Sequence, residues 1–163
     1  MKLLIVKGNE QADYFVSVPV NIRTKIIIYK YGECMGIKIP VSWGELIDKI
    51  TILEIKMDRV QDVEKLNNIN KELQALSLIF NQDCSEPELI GQLKTEIRTV
   101  NEKLWEIEDD IRKCEKDKDF SQRFIDLARA VYINNDQRAA LKREINTVLK
   151  SELFEEKSYE NYS

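Results

Sequence analysis

The chemistry open to this chain is set by what interrupts its apolar pattern and by what is missing from it. Asn134 and Arg138 stand where a repeat of large apolar residues (Phe124, Leu127, Val131, Leu141, Ile145, Val148) calls for more of the same. A charge at such a place is destabilising by several kcal/mol unless it is paired. Two readings follow. In the plainer one, Asn134 fixes helix register and Arg138 pairs with a carboxylate of a neighbouring helix: Glu45, Asp48, Glu54, Glu96 or Glu102. In the sharper one, Arg129, Asn134, Arg138 and Lys142 line a pocket for an anionic ligand.

Carboxylates supply the other candidate chemistry. Glu45 and Asp48 are three residues apart, as are Glu106 and Asp109, so each pair shares a helix face. Two such pairs on facing helices could hold Mg²⁺, as in all-α nucleotide pyrophosphohydrolases, where metal ions organise phosphoryl chemistry without histidine. The phase argues against it. Asp48 falls opposite the core stripe of its helix, and Glu106 and Asp109 fall off theirs, so solvated faces are the simpler account. Outside that Mg²⁺ alternative no cofactor is implied.

The sequence contains no histidine. Ser-His-Asp and Cys-His nucleophile systems, His-liganded zinc and the usual general base near neutral pH are therefore excluded. Cys34, Cys84 and Cys114 are far apart and form no C-x-x-C pair, so free thiols in a reducing cytoplasm are expected. The 25 basic and 29 acidic residues are finely interleaved and leave no basic stripe, which disfavours nucleic acid as a partner. The apolar run Leu3–Val6 is too short for a signal-peptide core and nothing approaches a membrane span. No membrane partner is expected.

Long helices must position these groups. A charged content of 33% with only five Gly and three Pro is the composition of solvated helices. Ser42-Trp43-Gly44-Glu45 has the form of a capping box, in which Ser42 accepts from the Glu45 N–H and the Glu45 carboxylate reaches back. The helix it opens carries Leu46, Ile50, Leu53 and Met57 on one stripe and Ile47, Ile52 and Ile55 on others, which marks a surrounded helix. Asp62 caps a second, with Leu66, Ile69, Leu73 and Leu76 on its stripe; Asn81-Gln82-Asp83-Cys84 breaks it. After Ser85-Glu86-Pro87-Glu88, a third helix carries an unbroken three-four alternation from Ile90 through Ile97, Leu104 and Ile111 to Cys114. Glu115–Asp119 turns the chain into a fourth helix, from about Phe120 to about Leu149. Residues up to about Val41, with β-branched runs such as Ile26-Ile27-Ile28-Tyr29, read instead as short strands or irregular chain.

The stretch Ile39–Lys49 (IPVSWGELIDK), the segment Val100–Asp109, the run Leu127–Asn146 and the closing Glu155-Glu156-Lys157-Ser158-Tyr159 together resemble a family of small bacterial and phage proteins of unassigned activity. The resemblance covers nearly everything after residue 36 and implies a helical bundle. It implies a setting near surface-polysaccharide synthesis, and it makes Glu155, Glu156, Lys157, Ser158 and Tyr159 a candidate recognition or active-site element. Members begin just before the Pro-Val-Ser-Trp motif, where Met35 sits here, so the first 34 residues read as an extension or an upstream start.

The expected architecture is an all-α antiparallel bundle of about four long helices in two hairpins with coiled-coil-like seams. A short β or irregular extension (1–36) precedes the bundle (37–152), and a charged, aromatic tail (153–163) follows it. Narrow apolar stripes bury limited area, so a homo-oligomer is expected, with a further protein partner as an option. Two functions fit: a cytoplasmic interaction or scaffold protein, accessory to polysaccharide assembly, or a small histidine-free enzyme or binding protein for an anionic substrate, with a chorismate-mutase-like or pyrophosphohydrolase-like helical pocket.

Overall fold

The computed structural model describes residues 2–6, 14–18 and 39–158, and the chain divides into two compact units, Met1–Lys38 and Ile39–Ser163. In the first, strands β1 (Lys2–Val6) and β2 (Tyr14–Val18) pair antiparallel, with Lys2 opposite Val18 and Val6 opposite Tyr14. The expected Ile26–Tyr29 strand lies outside the described residues.

The second unit is helical. Its elements are α1 (Trp43–Arg59), α2 (Val63–Asp83), a 3₁₀ turn at Pro87–Ile90, α3 (Gly91–Asp117) and α4 (Gln122–Val148). Local chemistry sets the ends. Ser42 Oγ accepts from Glu45 N at 3.3 Å, and Asp62 Oδ1 accepts from Glu64 N and Lys65 N at 3.0 Å each. Pro87 opens the 3₁₀ turn where its missing N–H costs nothing. Lys118, left-handed at φ 55°, closes α3 while Asp119 N donates to Cys114 O. The run Asn81–Asp83, read from sequence as a break, instead completes the last turn of α2; the chain leaves the helix at Cys84.

Ion pairs give the helix directions. Lys49–Glu72 and the edge-on Trp43–Phe80 contact make α1 and α2 antiparallel. Arg123–Asp110, beside the turn, does the same for α3 and α4. The core holds Leu46, Ile47 and Ile50 from α1, Ile90, Ile97, Val100 and Leu104 from the 3₁₀ turn and α3, and Leu141 and Ile145 from α4. Each such side chain contributes roughly 1.5–3 kcal/mol of burial. Helix α2 contributes Leu73, Leu76 and Phe80 only partly buried, and none of its residues is fully buried.

Helix α1 is surrounded, as its several stripes required: Leu46, Ile47, Ile50, Thr51, Leu53 and Ile55 are all buried. This corrects the placement of Asp48. Opposite the first stripe there is no solvent but α3 and α4, so Asp48 is also buried. The crossing of α1 and α4 depends on Gly44. A Cβ built there would lie 2.5 Å from the carbonyl oxygen of Lys142 and 3.0 Å from Asn146 Oδ1. Backbone cannot yield as a side-chain tip can. Gly44→Ala is therefore expected to destabilise the bundle by about 1–3 kcal/mol, read as a fall in the urea midpoint, although alanine favours helix elsewhere; an unchanged or raised midpoint contradicts the close crossing.

Candidate functional site

Because α1 and α4 touch at Gly44, the groups around the first turn of α1 are supplied largely by α4 and the tail. The opening amides of a helix have no partner within it. Here Trp43 N donates to Ser151 Oγ at 3.3 Å, Gly44 N to Asn146 Oδ1 at 2.6 Å, and Glu45 N to Ser42 Oγ. The chain reaches Ser151 by a left-handed residue, Lys150 (φ 51°), with Ser151 N donating back to Asn146 O. The tail then returns beside α4.

Lys142 sits at the centre, its side chain only 8% exposed. Its ammonium is held between the Glu45 and Glu155 carboxylates, the latter at 2.7 Å. Burial by itself favours the neutral amine, but the hydrogen bonds to Glu155 and Glu45 outweigh it and hold Lys142 above the usual lysine range. The same hydrogen bond holds Glu155 below the usual carboxylate range, with Lys157 and Arg138 adding to it. The neighbouring pair, Arg143–Glu156 at 3.2 Å, is exposed, with Phe154 under the Arg143 guanidinium at 5.7 Å. The reciprocal half of the expected capping box is absent: Glu45 gives its carboxylate to Lys142 because a buried cation binds it more strongly than a helix-end amide.

One turn away lies a second polar layer. Asp48 Oδ1 accepts from Asn101 Nδ2 at 2.8 Å and pairs with Arg138 Nε at 3.9 Å. Thr51 Oγ1 donates to the Asp48 carbonyl and accepts from Asn101 Nδ2 at 3.1 Å. Of the carboxylates expected for Arg138, Asp48 is thus its partner. Glu54 is taken by Lys94 and Arg98, Glu102 by Arg98, and Glu96 by Gln92. Arg98, bridging Asp58, Glu102 and Glu54, is held above its usual range, chiefly by the Asp58 hydrogen bond.

The four residues expected to line one anion pocket do not converge. Arg129 is exposed, and Asn134, though buried, donates to Ala130 O of its own helix at 2.7 Å. Arg138 and Lys142 face α1 instead. The carboxylates of the Mg²⁺ alternative are also dispersed: Glu45 serves Lys142, Asp48 serves Asn101 and Arg138, Glu106 serves Arg59, and Asp109 borders a separate groove. Among the described residues no three carboxylates or cysteines cluster closely enough to hold a metal ion. Of the closing motif, Glu155 and Glu156 are tied to α4, Lys157 Nζ lies 3.8 Å from Glu155, Ser158 is exposed, and Tyr159 lies outside the described residues. Cys114 is a buried free thiol and Cys84 a half-buried one. Sequence reasoning passed over Gly44, Asn146 and Ser151. Only Gly44 left a signal, since glycine inside a helix costs about 1 kcal/mol relative to alanine and needs a reason to be there.

The groove, of about 560 Å³, is lined by the apolar Ile52, Leu104 and Trp105 together with Asn101, Glu108, Asp109, Arg112, Asn135 and Arg138. Arg112 pairs with Glu108 beside it at 3.1 Å.

The model of a family of unknown function, DUF6165, matches residues 37–162. The chain belongs to that family. The match spans the first turn of α1, all of α4 and the tail, so every group of the clasp just described lies within it. No curated protein and no solved structure matches the chain. No helix among the described residues is long and apolar enough to cross a membrane.

The pKa directions give the clasp a pH window. Glu155, depressed in the folded state, adds stability that is present above the unfolded carboxylate value and lost as pH falls through its lower folded value. Lys142, raised, adds stability that persists to above the ordinary lysine range and is then lost. Glu155 is 44% exposed, so Glu155→Gln should cost only about 0.5–1 kcal/mol at neutral pH. In chemical unfolding at a series of pH values, the gap between wild type and this variant should close in acid below the carboxylate range; a gap independent of pH contradicts the assignment.

Proposed function

We propose that the protein is an interaction module which associates with a second copy of itself through α2 and works by binding rather than by catalysis. Under this reading its role is accessory to surface-polysaccharide assembly, the setting implied by the family resemblance, and it acts in the cytoplasm. The observation that carries the proposal is the incomplete burial of α2. This helix of 21 residues has a regular apolar repeat yet buries none of its side chains fully, and Val63, Leu78 and Ile79 remain exposed. Neighbouring exposed apolar side chains, as Leu78 and Ile79 are, mark an association surface more often than single ones do.

A second copy is the occupant favoured by charge. Helix α2 carries both signs, Glu64, Glu72 and Asp83 with Lys65 and Lys71, so two copies laid side by side accumulate little like charge. The competing reading, an enzyme acting on an anionic substrate through Lys142 and the tail carboxylates, has less support. These groups are already matched to one another, Lys142 with Glu45 and Glu155, and Arg143 with Glu156.

Size-exclusion chromatography with light scattering tests the proposal. At micromolar concentration the expected mass is at least twice the 19.1 kDa of one chain. Leu78→Glu should return it to one chain without lowering helicity. A wild-type monomer, or an oligomer indifferent to Leu78→Glu, removes the reading.

A further inference from the structure

The groove between α1, α3 and α4 shares no residue with the exposed apolar side chains of α2, and its chemistry is different. Arg138 is nearly three-quarters buried, its side chain 28% exposed, yet its Nε stands 3.9 Å from Asp48. That is an ion pair at a distance too long for a hydrogen bond. Asp48 therefore holds the guanidinium in place by charge without consuming its donors, and Asp48 is itself engaged by Asn101. A guanidinium presents five donors in a rigid fork suited to a carboxylate or phosphate.

The surroundings narrow the ligand. Arg112 is paired with Glu108, so it adds little net positive charge; Asp109 in the lining and Glu155, close enough to Arg138 to feel its charge, add negative charge. A multiply charged anion is disfavoured there. Ile52, Leu104 and Trp105 supply the apolar part of the lining, and a volume of about 560 Å³ admits a body of one or two fused rings. Arg59 stacks on Trp105 at 5.9 Å from the ring centroid, which fixes the indole. We infer that this groove binds a flat organic monoanion, its carboxylate on Arg138 and its ring system against Trp105. The neighbouring Lys142 clasp is no competitor, since its carboxylate partners are supplied by the chain itself.

The test is ¹⁵N-resolved NMR of the full chain, titrated with 2-naphthoate, with its neutral analogue 2-naphthalenemethanol, and with acetate. Naphthoate should shift the Trp105 indole Nε1–H and the Asn135 side-chain amide, with Kd at least tenfold lower than either control. Arg138→Gln should weaken naphthoate at least tenfold. Because that variant leaves Asp48 without its cation, Arg138→Lys is read beside it: charge is kept, the fork is lost, and binding should weaken while the unfolding midpoint holds. The inference is overturned if naphthoate shifts neither group, if the neutral analogue binds as well, or if both Arg138 variants bind as wild type. Acetate binding as tightly as naphthoate overturns the assignment of the ring to Trp105. None of these outcomes bears on self-association, which the light-scattering mass reads separately.

Discussion

Where α1 crosses α4, residue 44 presents a hydrogen atom, and the carbonyl of Lys142 occupies the space that a side chain would fill. Much of the bundle's polar architecture follows from that contact. It brings Asn146 within 2.6 Å of the Gly44 amide, so that a helix end is satisfied by a side chain more than a hundred positions away in sequence. It also draws Lys142 down to the interface, where a lysine is tolerated only if carboxylates accompany it. Glu45 is on hand from α1, and Glu155 completes the pairing once the tail turns back at Lys150. The tail is thereby tied to the fold by Ser151, Glu155 and Glu156.

The second polar layer stands on the same crossing. Asp48, Thr51 and Asn101 exchange hydrogen bonds inside the bundle while Arg138 supplies the compensating charge. Such a layer adds little net stability over apolar packing, but it penalises any shift of α1 along α3, because a slipped register would leave Asp48 buried alone. The exposed ion pairs do less. Arg112–Glu108 and Lys65–Asp62 are solvated and screened, and contribute solubility more than fold energy. Bundle geometry is set by the aliphatic core and by two buried polar clusters, and α2 is held by one side only.

Helix number, order and pairing could be read from sequence because the apolar periodicity of Leu46–Leu53, Ile90–Cys114 and Phe124–Val148 depends on the local repeat alone. The sequence narrows the partner of Arg138 to five carboxylates, of which Asp48 is the one within ion-pair distance. What could not be read was anything that depends on how three helices meet. Phase against one stripe makes Asp48 a solvated residue, whereas α1 is covered on several sides and Asp48 is buried. Glu45 looked like half of a capping box because its competitor, Lys142, lies 97 positions later. The tail motif was visible as unusual composition, but its anchorage to Lys142 and Arg143 needs the reversal at Lys150, a left-handed residue that no glycine announces.

The clasp at the start of α1 can be tested at its two most informative atoms by native-state hydrogen exchange of the Trp43 and Gly44 amides. First-turn amides of an ordinary helix exchange almost as fast as open chain. With Ser151 and Asn146 accepting from them, both should be protected, Gly44 approaching Ile47 and Ile50 in the core. Exchange of Trp43 and Gly44 at open-chain rates, while the core stays protected, would contradict the closed contact between α1, α4 and the tail.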